Sequence, residues 1–168
     1  MGSGIQPLWL VPETGGRACL LKEIGQQMKL KTEQFELMSW HDNTLHGISF
    51  IDENFANDLL LDIDYIDQWL NEAGHYRFKV APAKLVFHEV SQLKISLLNN
   101  GPQTMFAYLG TINGIGREPI GENRYRWVVD LLGCKENAIT FEASGFTQET
   151  YRDAIISTSQ HLTVDQRR

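Results

Sequence analysis

Leu59-Leu60-Leu61-Asp62-Ile63-Asp64-Tyr65-Ile66 carries an apolar side chain at every odd position and sets Asp62 and Asp64 on the other face. Side chains alternate across a strand, so this stretch reads as a half-buried β-strand. The same two-residue period extends in both directions. Tyr76, Phe78 and Val80 alternate with Arg77 and Lys79, and Leu93, Ile95 and Leu97 alternate with Lys94 and Ser96. Leu45 to Ile51, Leu85 to Val90, Met105 to Ile112, Tyr125 to Leu131 and Ala138 to Ala143 add further segments. Pro82 falls between two of them and predicts an edge or a bulge there, because proline cannot donate to a ladder. Asn99-Asn100-Gly101-Pro102 is a turn signal.

About seven or eight short strands with turn-rich links predict an all-β or β-dominated α+β domain, an antiparallel sandwich or half-open barrel. One to three short helices are expected: Thr32 to Ser39 capped by Thr32, a turn over Ile66 to Ala73 ended by Gly74, and Gln148 to Ser157. Trp40, Ile48, Phe50, Leu61, Ile63, Phe78, Val80, Phe87, Leu93, Ile95, Trp127, Val129, Ile139 and Phe141 are expected to dominate the core.

Residues 1–27 have neither strand nor helix period, and Met28-Lys-Leu-Lys-Thr reads as a bacterial start. They are expected to be an upstream extension or disordered tail, leaving 28–168 as one β-rich domain. A chain of 168 residues needs no disulfide framework, and Cys19 and Cys134 cannot supply one, so a reducing cytoplasm is expected. No apolar run approaches the ~20 residues of a membrane-spanning helix.

Charge is uneven along the chain. Between Lys31 and Arg77 there is no Lys or Arg, while ten acids give that stretch −10 against +4 for the remainder. Such a field repels phosphate, so nucleic acid is not an expected partner, and it attracts a basic protein. Asp52, Glu53, Asp58, Asp62, Asp64 and Asp67 are the expected docking acids, the alternative being that these acids merely solvate exposed strand faces.

Trp40-His41-Asp42-Asn43-Thr44-Leu45-His46 is the other suggestive stretch. His41, Asp42 and His46, with His88, form a candidate polar site for small-molecule binding or hydrolysis. The five-residue spacing of His41 and His46 puts them on opposite strand faces unless a bulge intervenes, so no metal and no cofactor are expected. Asp62 and Asp64, about 6–7 Å apart along a strand, could be paired carboxylates, but catalytic pairs usually come from different elements. Gly110 to Gly116 lacks the following helix of a dinucleotide loop, and Cys134 lacks a placed base.

Trp40-His41-Asp42, Leu59 to Tyr65, Val80-Ala81-Pro82-Ala83-Lys84-Leu85-Val86-Phe87 and Phe141-Glu142-Ala143-Ser144-Gly145-Phe146-Thr147-Gln148 resemble a family of small, uncharacterised bacterial β-rich proteins over roughly residues 35–165. The chain is also loosely similar to immunity-type proteins of polymorphic toxin systems. The resemblance implies a compact domain with no assigned reaction, so no catalytic residue carries over. It also gives acidity a purpose, since immunity proteins that neutralise cationic toxins are commonly acidic. The expected function is a non-enzymatic protein-interaction module with an acidic docking face. Self-association through sheet edges is a further alternative.

Overall fold

The structure is a computed structural model and describes residues 28–53, 56–97, 109–134 and 138–168. The expected tail (1–27), the Asn99 to Pro102 turn and the Met105 to Tyr108 part of one expected strand lie outside the described residues.

The fold is all-β. Among the described residues ten strands form one antiparallel sheet that is not closed into a barrel. In chain order they are β1 (Lys29–Lys31), β2 (Asn43–Glu53), β3 (Ala56–Glu72), β4 (His75–His88), β5 (Ser91–Ile95), β6 (Gly110–Gly121), β7 (Arg124–Leu131), β8 (Ile139–Ala143), β9 (Gly145–Thr150) and β10 (Ile155–Ser157). The spatial order is β1-β9-β4-β3-β2-β6-β7-β8-β5, with β10 also paired to β4. A 3-10 helix (Thr32–Leu37) and α1 (Val164–Arg167) complete it. No helix among the described residues is long and apolar enough to cross a membrane.

Only Ser144 separates β8 from β9, although these strands lie near opposite ends of the ladder. The sheet therefore curls over its own apolar face. Phe87 of β4 meets Phe141 of β8 at 4.7 Å and Trp127 of β7 at 5.0 Å between ring centroids. The odd residues Leu59, Leu61, Ile63 and Tyr65 of β3 are buried in that interior, as the alternation requires. A second crossing, β4 to β5, runs beside Ser144, whose N–H donates to His88 O at 3.0 Å.

Several expectations need correction. Ile66 to Ala73 is not helical: β3 continues to Glu72, and Ala73 and Gly74 close a hairpin instead of a helix. Ala73 and Gly74 both have positive φ, 50° and 85°, and Glu72 pairs with His75, which is the two-residue type I′ connection. Gln148 to Ser157 holds the end of β9 and β10 instead of a helix. Thr32 opens a 3-10 helix, with Lys31 in the cap position.

Pro82 lies inside a continuous interior strand. Its carbonyl accepts from Tyr151 N–H at 3.1 Å, so its missing donor faces the same side, where β4 changes partner from β10 to β9. The absent N–H thus falls on a seam and costs no ladder bond. Phe50 is 66% exposed; among the described residues β6 pairs with β2 as far as Leu45. Ile95, 40% exposed, sits on the edge strand β5, and Ile48 and Leu93 are only partly buried.

Candidate functional site

Asp58, Asp62 and Asp64 of β3 lie on the face opposite the core, and each meets a partner from elsewhere in the chain. Asp64 is fully buried. Its Oδ1 accepts from Arg167 Nη1 and its Oδ2 from Leu162 N–H at 2.7 Å. Arg167 Nη2 reaches Asp62 Oδ1 at 2.5 Å and donates to the Tyr151 hydroxyl at 2.8 Å. Burial opposes the charge of Arg167, but Asp64 and Asp62 outweigh it and hold the guanidinium above its ordinary pKa. Burial, then the Asp62 charge, pushes the Tyr151 phenol up. Leu162 packs with Ile66, Phe78 and Val80 in a small second core, so the segment bearing α1 is strapped over this face.

His46 joins the cluster through a bulge. The β2–β3 register slips between Leu45 and Gly47, so His46 is the extra residue. Its Nε2 lies 2.8 Å from Asp64 Oδ2. His41 stays apart, 58% exposed at the side chain, with Nδ1 3.0 Å from Asp42 Oδ2. Gln160 Nε2 donates to that same oxygen at 3.2 Å.

Farther along the face, His88 lies between Asp58 and Thr147. Nδ1 is 2.8 Å from Asp58 Oδ2 and Nε2 is 3.0 Å from Thr147 Oγ1. Asp58 Oδ1 also accepts from Glu89 N–H at 3.0 Å, which holds the corner where Glu89 has φ 55°.

His41, His46 and His88 are thus each matched to a different carboxylate and do not converge on one polar site. No group of three His, Cys, Asp or Glu side chains among the described residues is arranged to hold a metal. The docking acids also divide. Asp52 is exposed and the side chain of Glu53 lies outside the described groups. Asp58, Asp62 and Asp64 are engaged as above, and Asp67 accepts from Lys79 Nζ at 2.6 Å. Bases from the later half fold back onto the acidic stretch, so these six do not make one free face.

Unpaired edge remains elsewhere. Pairing of β2 with β3 ends at Thr44 and Asp64, yet β3 runs on to Glu72 with β4 alone beside it. Among the described residues the other edge of Tyr65 to Glu72 meets no strand. A cleft of about 200 Å³ lies along it, lined by Leu37, Ser39, His41, Tyr65, Asp67 and Trp69. Leu37 is 73% exposed, Trp69 50% and Tyr76 60%. Trp69 is held edge-on between Tyr76, at 6.4 Å, and Phe78, at 5.0 Å. A bulge between Ile66 and Gln68 turns Trp69 onto this face. A second cleft of about 220 Å³, near Phe35, Trp40 and His41, is likewise below the ~300 Å³ usual for a small-molecule pocket.

Sequence reasoning missed Arg167, Tyr151, Thr147 and Trp69. No period marks the first three, because each meets its partners through pairing of distant segments. Trp69 falls within Ile66 to Ala73, whose local pattern predicts a helical turn.

No protein-family model, curated protein or solved structure matches this chain.

Proposed function

We propose that the protein is an interaction module that receives an extended, cationic segment of a protein partner along the open edge of β3. The observation that carries this reading is the length of β3 beyond β2, from Tyr65 to Glu72, with exposed Leu37, Trp69 and Tyr76 beside it. The Ile66 N–H is taken by Asn43 Oδ1 at 3.1 Å, but from Gln68 to Glu72 no described strand pairs on that side, so the backbone there can accept a further strand and the cleft can seat one of its side chains. The rings are held by their neighbours before binding, so little ordering is required of them, and Trp and Tyr dominate binding energy at protein interfaces.

Charge selects the partner. The net charge is −6, and two exposed carboxylates near this edge, Glu36 (77% exposed) and Glu72 (60%), are paired with Arg117 at 3.3 Å and Arg77 at 3.1 Å, surface pairs weak enough for a cationic partner to compete for them. Lysine or arginine side chains can stack on Trp69 and Tyr76 by cation–π attraction. A cytoplasmic cationic protein, such as a toxin neutralised by an immunity-type protein, fits this chemistry; nucleic acid does not.

Selection from a random-peptide library on the full chain tests the reading. Enrichment of Lys or Arg within β-prone sequences is expected, with affinity that falls as salt rises. Trp69→Ala should cost about 2 kcal/mol of binding, the scale of an interface hot spot. Selected peptides that are acidic, or that bind Trp69→Ala as tightly, would refute it.

A further inference from the structure

We propose that Thr147, His88 and Asp58 form an acyl-transfer site on the outer face of the sheet, with the Thr147 hydroxyl as nucleophile. This does not depend on the edge-binding reading. Asp58 Oδ2 and Oδ1 face two nitrogens, His88 Nδ1 at 2.8 Å and Glu89 N–H at 3.0 Å. A carboxylate only accepts, so Nδ1 carries a proton, and in the form with a single ring proton Nε2 presents its lone pair. Thr147 Oγ1, 3.0 Å away, donates to it. Carboxylate, imidazole and hydroxyl stand in the order that activates a hydroxyl nucleophile, and such a set is recognised by geometry and not by fold.

The strand register brings them together. Asp58, His88 and Thr147 lie on the non-core face of β3, β4 and β9, with Thr147 paired to Val86, one diagonal step from His88. The face is open: Lys31, Lys84 and Glu149 around it are exposed, and the His88 side chain is 35% exposed. On its other side Thr147 pairs with Lys31 of β1, so the two side chains stand on the same face. Cross-strand partners are about 5 Å apart at Cβ, which puts an ammonium within reach of an oxyanion formed at Thr147. Glu149, the next exposed acid, is bridged to Lys29 at 3.9 Å. Neither cleft is lined by Asp58, His88 or Thr147, so neither holds a long acyl chain beside them, and the substrate class is the ester of a small carboxylic acid.

In the acylation step Thr147 Oγ1 forms a bond to the ester carbonyl carbon and passes its proton to His88 Nε2. The negative charge on the carbonyl oxygen is met by Lys31. Collapse breaks the bond to the alcohol, which leaves with the proton from His88, and Thr147 remains as an ester. Water then attacks, gives its proton to His88, and releases the acid while Thr147 regains its hydrogen. Thr147 and His88 are the catalytic residues; Asp58 is a positioning residue.

The test is incubation of the full chain with 4-nitrophenyl acetate, following release of nitrophenol and mapping the acetyl group by peptide mass spectrometry. Acetyl on Thr147 is expected. Thr147→Val and His88→Ala should each slow release about 10²-fold, and in Thr147→Ser the acetyl group should be found at the substituted position. Asp58→Asn can still accept from Glu89 N–H but forces the other imidazole tautomer. It should lower kcat with KM unchanged, since Asp58 does not touch the substrate. Near-UV circular dichroism checks that each variant is folded. Acetyl confined to lysines, or equal rates in folded Thr147→Val and the unaltered chain, would overturn the proposal.

Discussion

The guanidinium of Arg167 is bonded to the buried carboxylate of Asp64, a residue 103 positions earlier in the chain. That contact closes the strap bearing α1 over β3 and gives Asp64, which has no exposed surface, a positive partner. Removing one member of a buried pair leaves the other charged and unpaired, at a cost of about 3–5 kcal/mol.

Arg167→Ala is therefore expected to lower stability by about 3 kcal/mol, the residual bonds of Asp64 to Leu162 N–H and His46 limiting the loss. Urea unfolding followed by tryptophan fluorescence measures it. Arg168→Ala, on an exposed residue, is the control and should change stability by under ~0.5 kcal/mol. Equal midpoints for the two variants would show that the strap adds nothing.

The hairpin between β3 and β4 offers the opposite sign. Ala73 sits at φ 50°, where its Cβ crowds the following carbonyl, whereas Asn adopts this region readily. Ala73→Asn makes the connection Asn-Gly, the preferred pair for a type I′ turn, and should raise stability by about 1 kcal/mol. A lower thermal midpoint in the variant would contradict this account of the turn.

Gly145 is required for close approach, not for its φ. A Cβ there would collide with Thr32 Oγ1, the atom that accepts from Phe146 N–H at 2.7 Å and ties the 3-10 helix to β9. Gly145→Ala is expected to cost about 2 kcal/mol, the scale of overpacking. Because both changes act on one contact, Thr32→Ala should cost less in the Gly145→Ala background than alone. Strict additivity in a double-mutant cycle would rule the collision out.

Alkaline pH should lower the protein's stability through Tyr65. Burial, and secondarily the Asp67 charge, pushes its phenol up to about 12 from the ordinary 10.0. The unfolded chain loses this proton first, so the tyrosine's contribution is intact below pH ~10 and lost as pH rises toward ~12, up to about 2 kcal/mol. Tyr65→Phe should flatten that part of the stability–pH curve; an unchanged slope between pH 10 and 12 would exclude Tyr65 as its source.

The strand pattern was legible wherever one face is buried. Leu59 to Tyr65 and Tyr125 to Leu131 show their core residues directly. It failed at Ile66 to Ala73, where the bulge at Asp67 shifts the alternation by one and a local period no longer reports the face. His46 was legible as a candidate, but its partner was not. The bulge that turns it toward Asp64 is a property of the paired strands, not of β2 alone.

From residues alone follow the all-β class and the apolar face of each regular strand, because the two-residue period is local and burial enforces it. The negative balance of the first half is equally a matter of composition. Only the folded chain decides where that charge goes: Lys79, His88 and Arg167 return to Asp67, Asp58 and Asp64 through pairings that join distant segments. Among the described residues no strand pairs with β3 beyond Asp64 on the β2 side for the same reason, since that depends on where a neighbouring strand stops.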